Sequence, residues 1–136
     1  MLGLVQGTVL KCDTISGVLF VEVLSDSNHG VAYEVFVPNY LLDYSDIEGR
    51  WVSLWIFSFV TDTAILFYGF SSYEEKVYFG ELLKVKGVGP KVALGVLSAC
   101  GGDVKALTYN DVLAVRGVGK VVAQRIINKI NSLLVV

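Results

Sequence analysis

A short phrase is written twice in this chain, thirty positions apart. Leu83-Lys84-Val85-Lys86-Gly87-Val88-Gly89-Pro90-Lys91-Val92-Ala93 recurs as Leu113-Ala114-Val115-Arg116-Gly117-Val118-Gly119-Lys120-Val121-Val122-Ala123. Leu, Val, Gly, Val, Gly, Val and Ala coincide, and Lys86 or Arg116 precedes the glycines each time. Each copy reads as the end of one helix, a tight Gly-Val-Gly turn, and the start of the next. Such a turn leaves backbone N–H groups at a helix N-terminus without intrahelical acceptors, and a phosphate oxygen suits them. The candidate donors are the amides around Gly87-Val88-Gly89 and Gly117-Val118-Gly119. The candidate cations are Lys84, Lys86, Lys91, Arg116, Lys120 and Arg125.

One Gly-Val-Gly would say little, because glycine ends helices of every kind. Two tandem copies, each with an apolar residue between the glycines and a lysine nearby, favour two grips on a nucleic-acid backbone over plain helix packing. Phosphate contacts position a protein without reading bases. Nothing in the pattern would enter a groove and read base edges, so binding is expected to select DNA structure and ignore sequence.

Charge divides the chain in the same place. Up to Phe70, Lys11 and Arg50 face eight acids, a net −6; from Leu82 onward, eight basic residues face Asp103 and Asp111, a net +6. The rear half is where a polyanion would bind.

The elements that must hold these residues change character at Phe70. Before it, Val, Phe, Tyr, Trp and Ile come in short runs separated by turn residues, the pattern of strands. The runs are Gly3 to Lys11, Gly17 to Leu24, Val31 to Pro38, Trp51 to Val60 and Ala64 to Phe70, with turns at Asp13-Thr14 and Thr61-Asp62-Thr63 and a polar loop from Ser25 to Gly30. Five short strands in about seventy residues suggest a small barrel such as the OB-fold; a three-stranded meander with edge strands is the competing arrangement. After Phe70 the periodicity is helical. Ser71 or Ser72 can cap a helix with Glu74 and Glu75 in its first turn, and Val77, Phe79, Leu82 and Leu83 mark its apolar stripe. Pro90 opens the next helix and Gly101-Gly102 ends it. Asp103 begins a short helix, Asn110 is the expected cap of another, and the last runs from Lys120 to about Leu133. The expected architecture is β plus α in two domains: a five-stranded barrel over residues 1–70 and an all-helical domain of two helix–hairpin–helix motifs over residues 71–136.

Composition narrows the alternatives. Apolar residues make up 54% and charged ones 18%, with a mean hydropathy of +0.61, so apolar surface is expected to remain after folding and to favour self-association. The longest apolar run, Trp51 to Val60, is too short to span a bilayer. No signal peptide is visible at the start. Cys12 and Cys100 match no metal or redox spacing and read as reduced thiols. His29 precedes Gly30 in a polar loop and reads as a solvated turn residue. No Walker motif is present, so ATP hydrolysis would have to come from a partner. No cofactor is called for. A hairpin-containing DNA glycosylase needs a larger helical body and a base pocket than this length provides. Trp51, Trp55, Phe57 and Phe59 could stack single-stranded DNA, but their dense apolar context favours core or subunit packing.

A barrel followed by two hairpin units resembles the RuvA family of Holliday-junction-binding proteins. Gly87-Val88-Gly89-Pro90-Lys91-Val92-Ala93-Leu94 with Leu97-Ser98 is similar to that family's first hairpin. Gly117-Val118-Gly119-Lys120 with Ala123, Arg125 and Ile126 is similar to its second, and Leu66-Phe67-Tyr68-Gly69-Phe70 to its link between barrel and helices. Gly30-Val31-Ala32-Tyr33-Glu34-Val35 resembles its third strand. The resemblance implies a bacterial cytoplasmic protein of recombinational repair. It would act as a tetramer, or a face-to-face octamer, holding a four-way DNA junction open for the RuvB motor, with the RuvC resolvase as a further partner. It also implies an acidic pin on the turn between the last two strands. Asp62 is the one carboxylate there, where the family usually carries two. The family further continues through a linker into a small domain that contacts the motor. This sequence stops at Val136, so junction binding without productive motor coupling is expected.

Overall fold

From Leu4 to Val9 more exposed and more buried positions alternate, because a strand turns one face inward. The computed structural model describes residues 2–24, 29–42 and 46–134, so part of the expected polar loop, residues 25–28, lies outside the described residues. The chain divides into two compact units, Met1–Lys76 and Val77–Val136.

The first unit holds strands β1 (Leu4–Asp13), β2 (Val18–Leu24), β3 (Gly30–Phe36), β4 (Trp51–Val60) and β5 (Ile65–Phe70), with a one-turn helix α1 (Asn39–Leu42) after β3. They form a closed barrel in the order β1-β2-β3-β5-β4. The meander is excluded by β1, which pairs with β2 along one edge and with β4 along the other. Its register slips between Val9 and Lys11, a bulge that bends the strand as closure requires. Val5, Val9, Leu19, Val21, Val35, Val37, Leu54 and Ile56 fill the barrel, and Leu42 of α1 joins this cluster. The weakest seam is parallel: β3 meets β5 only at Val35 with Phe67 and Phe36 with Tyr68.

The aromatics of β4 are not core. Leu54 and Ile56 take the inward positions, so Trp51, Trp55, Phe57 and Phe59 turn to the other face. Trp51 is 63% exposed, and Trp55 meets Tyr73 edge-on at 5.3 Å.

The second unit carries the helices α2 (Tyr73–Leu83, which begins in the first unit), α3 (Pro90–Ala99), α4 (Tyr109–Leu113) and α5 (Lys120–Leu134), with a 3-10 turn over Val104–Ala106. Ser72 caps α2 by accepting the Glu75 N–H at 3.2 Å. Asp103 caps the 3-10 turn through the Lys105 N–H. The expected cap at Asn110 is corrected to Thr108, whose hydroxyl accepts the Asp111 N–H while the Asp111 carboxylate accepts the Thr108 N–H, a reciprocal box. Phe79, Leu82, Ala93, Val96, Leu97, Val104, Val112, Ala123, Ile126 and Ile130 are buried here. Full burial of a side chain the size of Phe79 contributes about 1.5–3 kcal/mol.

Candidate nucleic-acid interface

The repeat in sequence is a repeat in hydrogen bonding. After α2, Val85 N–H donates to Leu82 O at 3.1 Å and Val88 N–H to Val85 O at 3.1 Å; after α4, Val115 N–H donates to Val112 O at 3.0 Å and Val118 N–H to Val115 O at 3.1 Å. The chain then reverses at Gly87 (φ 92°) and Gly117 (φ 91°), a backbone region that side chains disfavour. Ala93 N–H donates to Gly89 O at 3.0 Å and Ala123 N–H to Gly119 O at 2.9 Å, opening α3 and α5.

This pattern separates the roles of the residues in each turn. Val88 is buried and Val118 half-buried, and their N–H groups are already bonded within the turn. They plug the hairpins and hold their shape. The amides lacking an intrahelical acceptor lie one step later, at Lys91 and Val92 in the first turn of α3 and at Lys120, Val121 and Val122 in that of α5. Pro90 has no N–H to leave open.

Gly89 and Gly119 stand beside these amides for a different reason from Gly87 and Gly117. Gly89 has φ −101° and ψ −178°, which any residue can adopt. A Cβ built at Gly89 or Gly119 meets nothing within 4 Å. Nothing within the fold requires glycine there. What glycine provides is a bare approach to the helix N-terminus from outside.

The two hairpins interlock by an approximate dyad. A Cβ at Gly87 would lie 3.0 Å from Val122 Cγ2, and one at Gly117 would lie 3.6 Å from Val92 Cγ2. Val92 and Val122 hold equivalent places in the repeat. Each turn therefore packs on the first turn of the other hairpin's second helix. Gly95 and Arg125 are also equivalent by position: a Cβ at Gly95 would come 2.8 Å from Val115 Cγ1, while Arg125 Nη1 donates to Lys86 O at 3.3 Å. Arg125 thus braces the first hairpin from the last helix.

Lys86, Lys91, Arg116, Lys120 and Arg125 are exposed, and among the described residues no carboxylate forms an ion pair with them. Lys84 differs. Its Nζ lies 3.0 Å from Glu81 Oε1, and Lys129 Nζ lies 2.9 Å from Glu81 Oε2. Hydrogen bonds from Lys129 first, then Lys84, hold the Glu81 carboxyl below its ordinary range. Glu81 was not among the sequence candidates, although its three-residue spacing from Lys84 was a usable signal.

Asp62 sits in the first unit, at the tip of the β4–β5 hairpin. Thr61 N–H donates to Ala64 O at 2.8 Å and Ala64 N–H to Thr61 Oγ1 at 3.0 Å, closing a turn that presents Asp62 and Thr63 to solvent. Among the described residues, no group of three or more His, Cys, Asp or Glu side chains could hold a metal ion, and no helix is long and apolar enough to cross a membrane.

Residues 79–132 match the family of SAM-like helix-hairpin-helix tandems. The chain is 36% identical over 114 residues to the "Holliday junction branch migration complex subunit RuvA" of Syntrophus aciditrophicus, covering 79% of this chain and 55% of the relative. The protein of the same description from Bartonella bacilliformis is 40% identical over 108 residues, covering 76% and 50%. That of Acinetobacter baumannii is 41% identical over 104 residues, covering 72% and 51%. The chain spans about half the length of the curated relatives it matches. With the closed five-stranded barrel leading into two interlocked hairpins, these matches show that the chain belongs to the RuvA family.

Proposed function

We propose that this chain binds four-way DNA junctions, selecting branched structure and ignoring sequence, through phosphates seated on the N-termini of α3 and α5. The observation that carries this reading is the open space at Gly89 and Gly119, where the fold itself has no use for glycine. Amides of Lys91, Val92, Lys120, Val121 and Val122 donate to phosphate oxygens, and Lys86, Lys91, Arg116, Lys120 and Arg125 supply counter-charge. Lys84 contributes only when released by Glu81. Residues 71–136 serve as the DNA-binding domain and residues 1–70 as the domain that shapes the junction centre. Four copies assemble on one junction, and Asp62 of each projects toward the crossover, where its charge repels phosphates. The chain performs no catalysis. Movement of the junction is the work of a separate ATP-driven motor, RuvB, in the bacterial cytoplasm.

The test is a gel-shift competition at moderate salt, with labelled four-way junction against unlabelled linear duplex and single strand. Junction preference by orders of magnitude is expected. Equal competition by duplex or single strand would leave the hairpins as generic phosphate grips and refute junction selection.

A further inference from the structure

The barrel is closed, yet one of its seams is nearly open. All seven residues of β3, Gly30 to Phe36, pair with β2, but only Val35 and Phe36 pair with β5. A strand directs alternate N–H and C=O groups to its two sides. Over Gly30 to Glu34 the side away from β2 therefore has no strand partner among the described residues. Most of this stretch is exposed: Val31 is 57% exposed, Gly30, Ala32 and Glu34 are exposed, and Tyr33 is half-buried. Across the gap stands Ile65 at the start of β5, also 57% exposed. Between the strands runs a groove of about 250 Å³ lined by Ala32, Tyr33, Glu34, Phe36, Ile65, Leu66 and Phe67. Tyr33 and Phe67, on the face turned to the barrel core, meet edge-on at 6.0 Å, and Phe36 stacks on Tyr68 at 5.3 Å on the opposite face.

We propose that this open edge of β3 receives an extended peptide segment of a partner protein, in which apolar residues alternate with basic ones, added to the barrel as a strand. Unpaired backbone groups along an edge select an extended peptide, because main-chain hydrogen bonds provide the affinity. Val31, Tyr33, Ile65 and Phe67, on the inner face, select apolar side chains at every second position. Charge selects the rest. Glu34 lines the groove, and the Glu22 carboxylate lies over Gly30, close enough that a Cβ there would approach its Oε2 at 2.6 Å. No lysine or arginine lines the groove. Single-stranded DNA is disfavoured by those carboxylates, and self-pairing of two copies through this edge would set the same acidic edge on both sides. A basic segment meets neither obstacle.

The probe is a dye-labelled, end-capped nonapeptide alternating valine and lysine, titrated into the full chain and followed by anisotropy and amide hydrogen exchange. Saturable binding is expected, with exchange slowed at those amides between Val31 and Glu34 that point away from β2. The same peptide with glutamate for lysine should bind at least about tenfold more weakly, and Glu34→Lys should weaken the lysine peptide by a similar factor. Protection confined to other residues, or equal binding by Glu34→Lys, would overturn the assignment. Protection of Val31 to Glu34 by an oligothymidine, or by self-association without peptide, would overturn it in favour of those occupants. Because the readout is exchange on β3, its failure leaves junction binding through α3 and α5 standing, and failure of junction binding leaves this edge unaffected.

Discussion

Replacing Gly89 by aspartate tests the phosphate grip against the fold that presents it. The backbone at Gly89 is extended and already occupies the N-cap of α3, so an aspartate fits without strain. Its Cβ would meet nothing within 4 Å, and its carboxylate could accept the N–H of Lys91 or Val92. Aspartate outranks glycine as a cap by a few tenths of a kcal/mol, and a negative charge at a helix N-terminus adds about 0.3–1 kcal/mol. The variant should therefore be as stable as the parent or more so, by roughly 0.5 kcal/mol in urea unfolding.

Binding should move the other way. The carboxylate would occupy the place and the donors assigned to a phosphate. Two like charges about 5 Å apart repel by about 0.8 kcal/mol in bulk water and about 3 kcal/mol at an effective dielectric of 20. Each hairpin should then lose about 4- to 150-fold in junction affinity, more toward the upper figure if the site excludes water. Gly119→Asp should behave alike. Junction affinity measured by anisotropy at fixed salt, beside urea unfolding of the same samples, separates the two effects. A Gly89→Asp chain that is stable and binds junctions like the parent would refute the phosphate grip. Gly87→Ala is the opposite control. Its φ of 92° and the 3.0 Å approach to Val122 should cost stability, about 1–2 kcal/mol, before any DNA is added.

Junction affinity should fall linearly with log salt, and Lys91→Ala or Lys120→Ala should each reduce that slope by about 1, on every sequence alike; an unchanged slope would remove those lysines from the interface. Glu81→Gln should free Lys84 and Lys129, tightening junction binding measurably at low salt, and unchanged affinity would mean that neither lysine reaches DNA. Because its ion pairs lower the folded pKa of Glu81, its stabilisation is present above the unfolded carboxyl value and is lost as pH falls through the folded one. Acid titration of unfolding should accordingly show a shallower loss in Glu81→Gln than in the parent. Glu75 has the opposite sign. It is buried, it accepts the hydroxyls of Tyr40, Ser71 and Ser72, and desolvation raises its pKa. The unfolded chain ionises first, so stability should decline as pH rises from the unfolded carboxyl value through the folded one, and Glu75→Gln should flatten that decline.

The strands were legible because each run is short, rich in β-branched and aromatic residues, and bounded by turn signals. Trp51–Val60 matches its reading residue for residue. Closure was not legible, since the pairing of β1 with β4 joins segments more than forty residues apart and no local pattern encodes a partner. The α1 helix escaped because four residues show no periodicity. At α4 the signal existed: Thr108 and Asp111 have the spacing of a reciprocal cap, and Asn110 drew the reading away from it. The hairpins were found by repetition, but sequence could not say which amides stay open. That depends on Val88 and Val118 N–H groups bonding back to Val85 and Val115, a detail of the turn and not of composition.

Glycine is written four times in the repeated turns and carries two unrelated jobs. At Gly87 and Gly117 it answers a backbone angle, and any chain folding this turn would need it. At Gly89 and Gly119 it answers nothing inside the molecule. The dyad adds a constraint, because Val92 packs beside Gly117 and Val122 beside Gly87. A change that reshapes one turn therefore presses on the amide-bearing first turn of the other. The two grips cannot be adjusted one at a time at the inner glycines, whereas the outer glycines, in open space, can be altered separately. Paired changes should follow this division. Gly89→Asp and Gly119→Asp should combine nearly additively in stability, while Gly87→Ala and Gly117→Ala should couple by about 0.5 kcal/mol or more in a double-mutant cycle. Additivity at the inner pair would mean that the two turns do not bear on each other, and the interlock would be wrong.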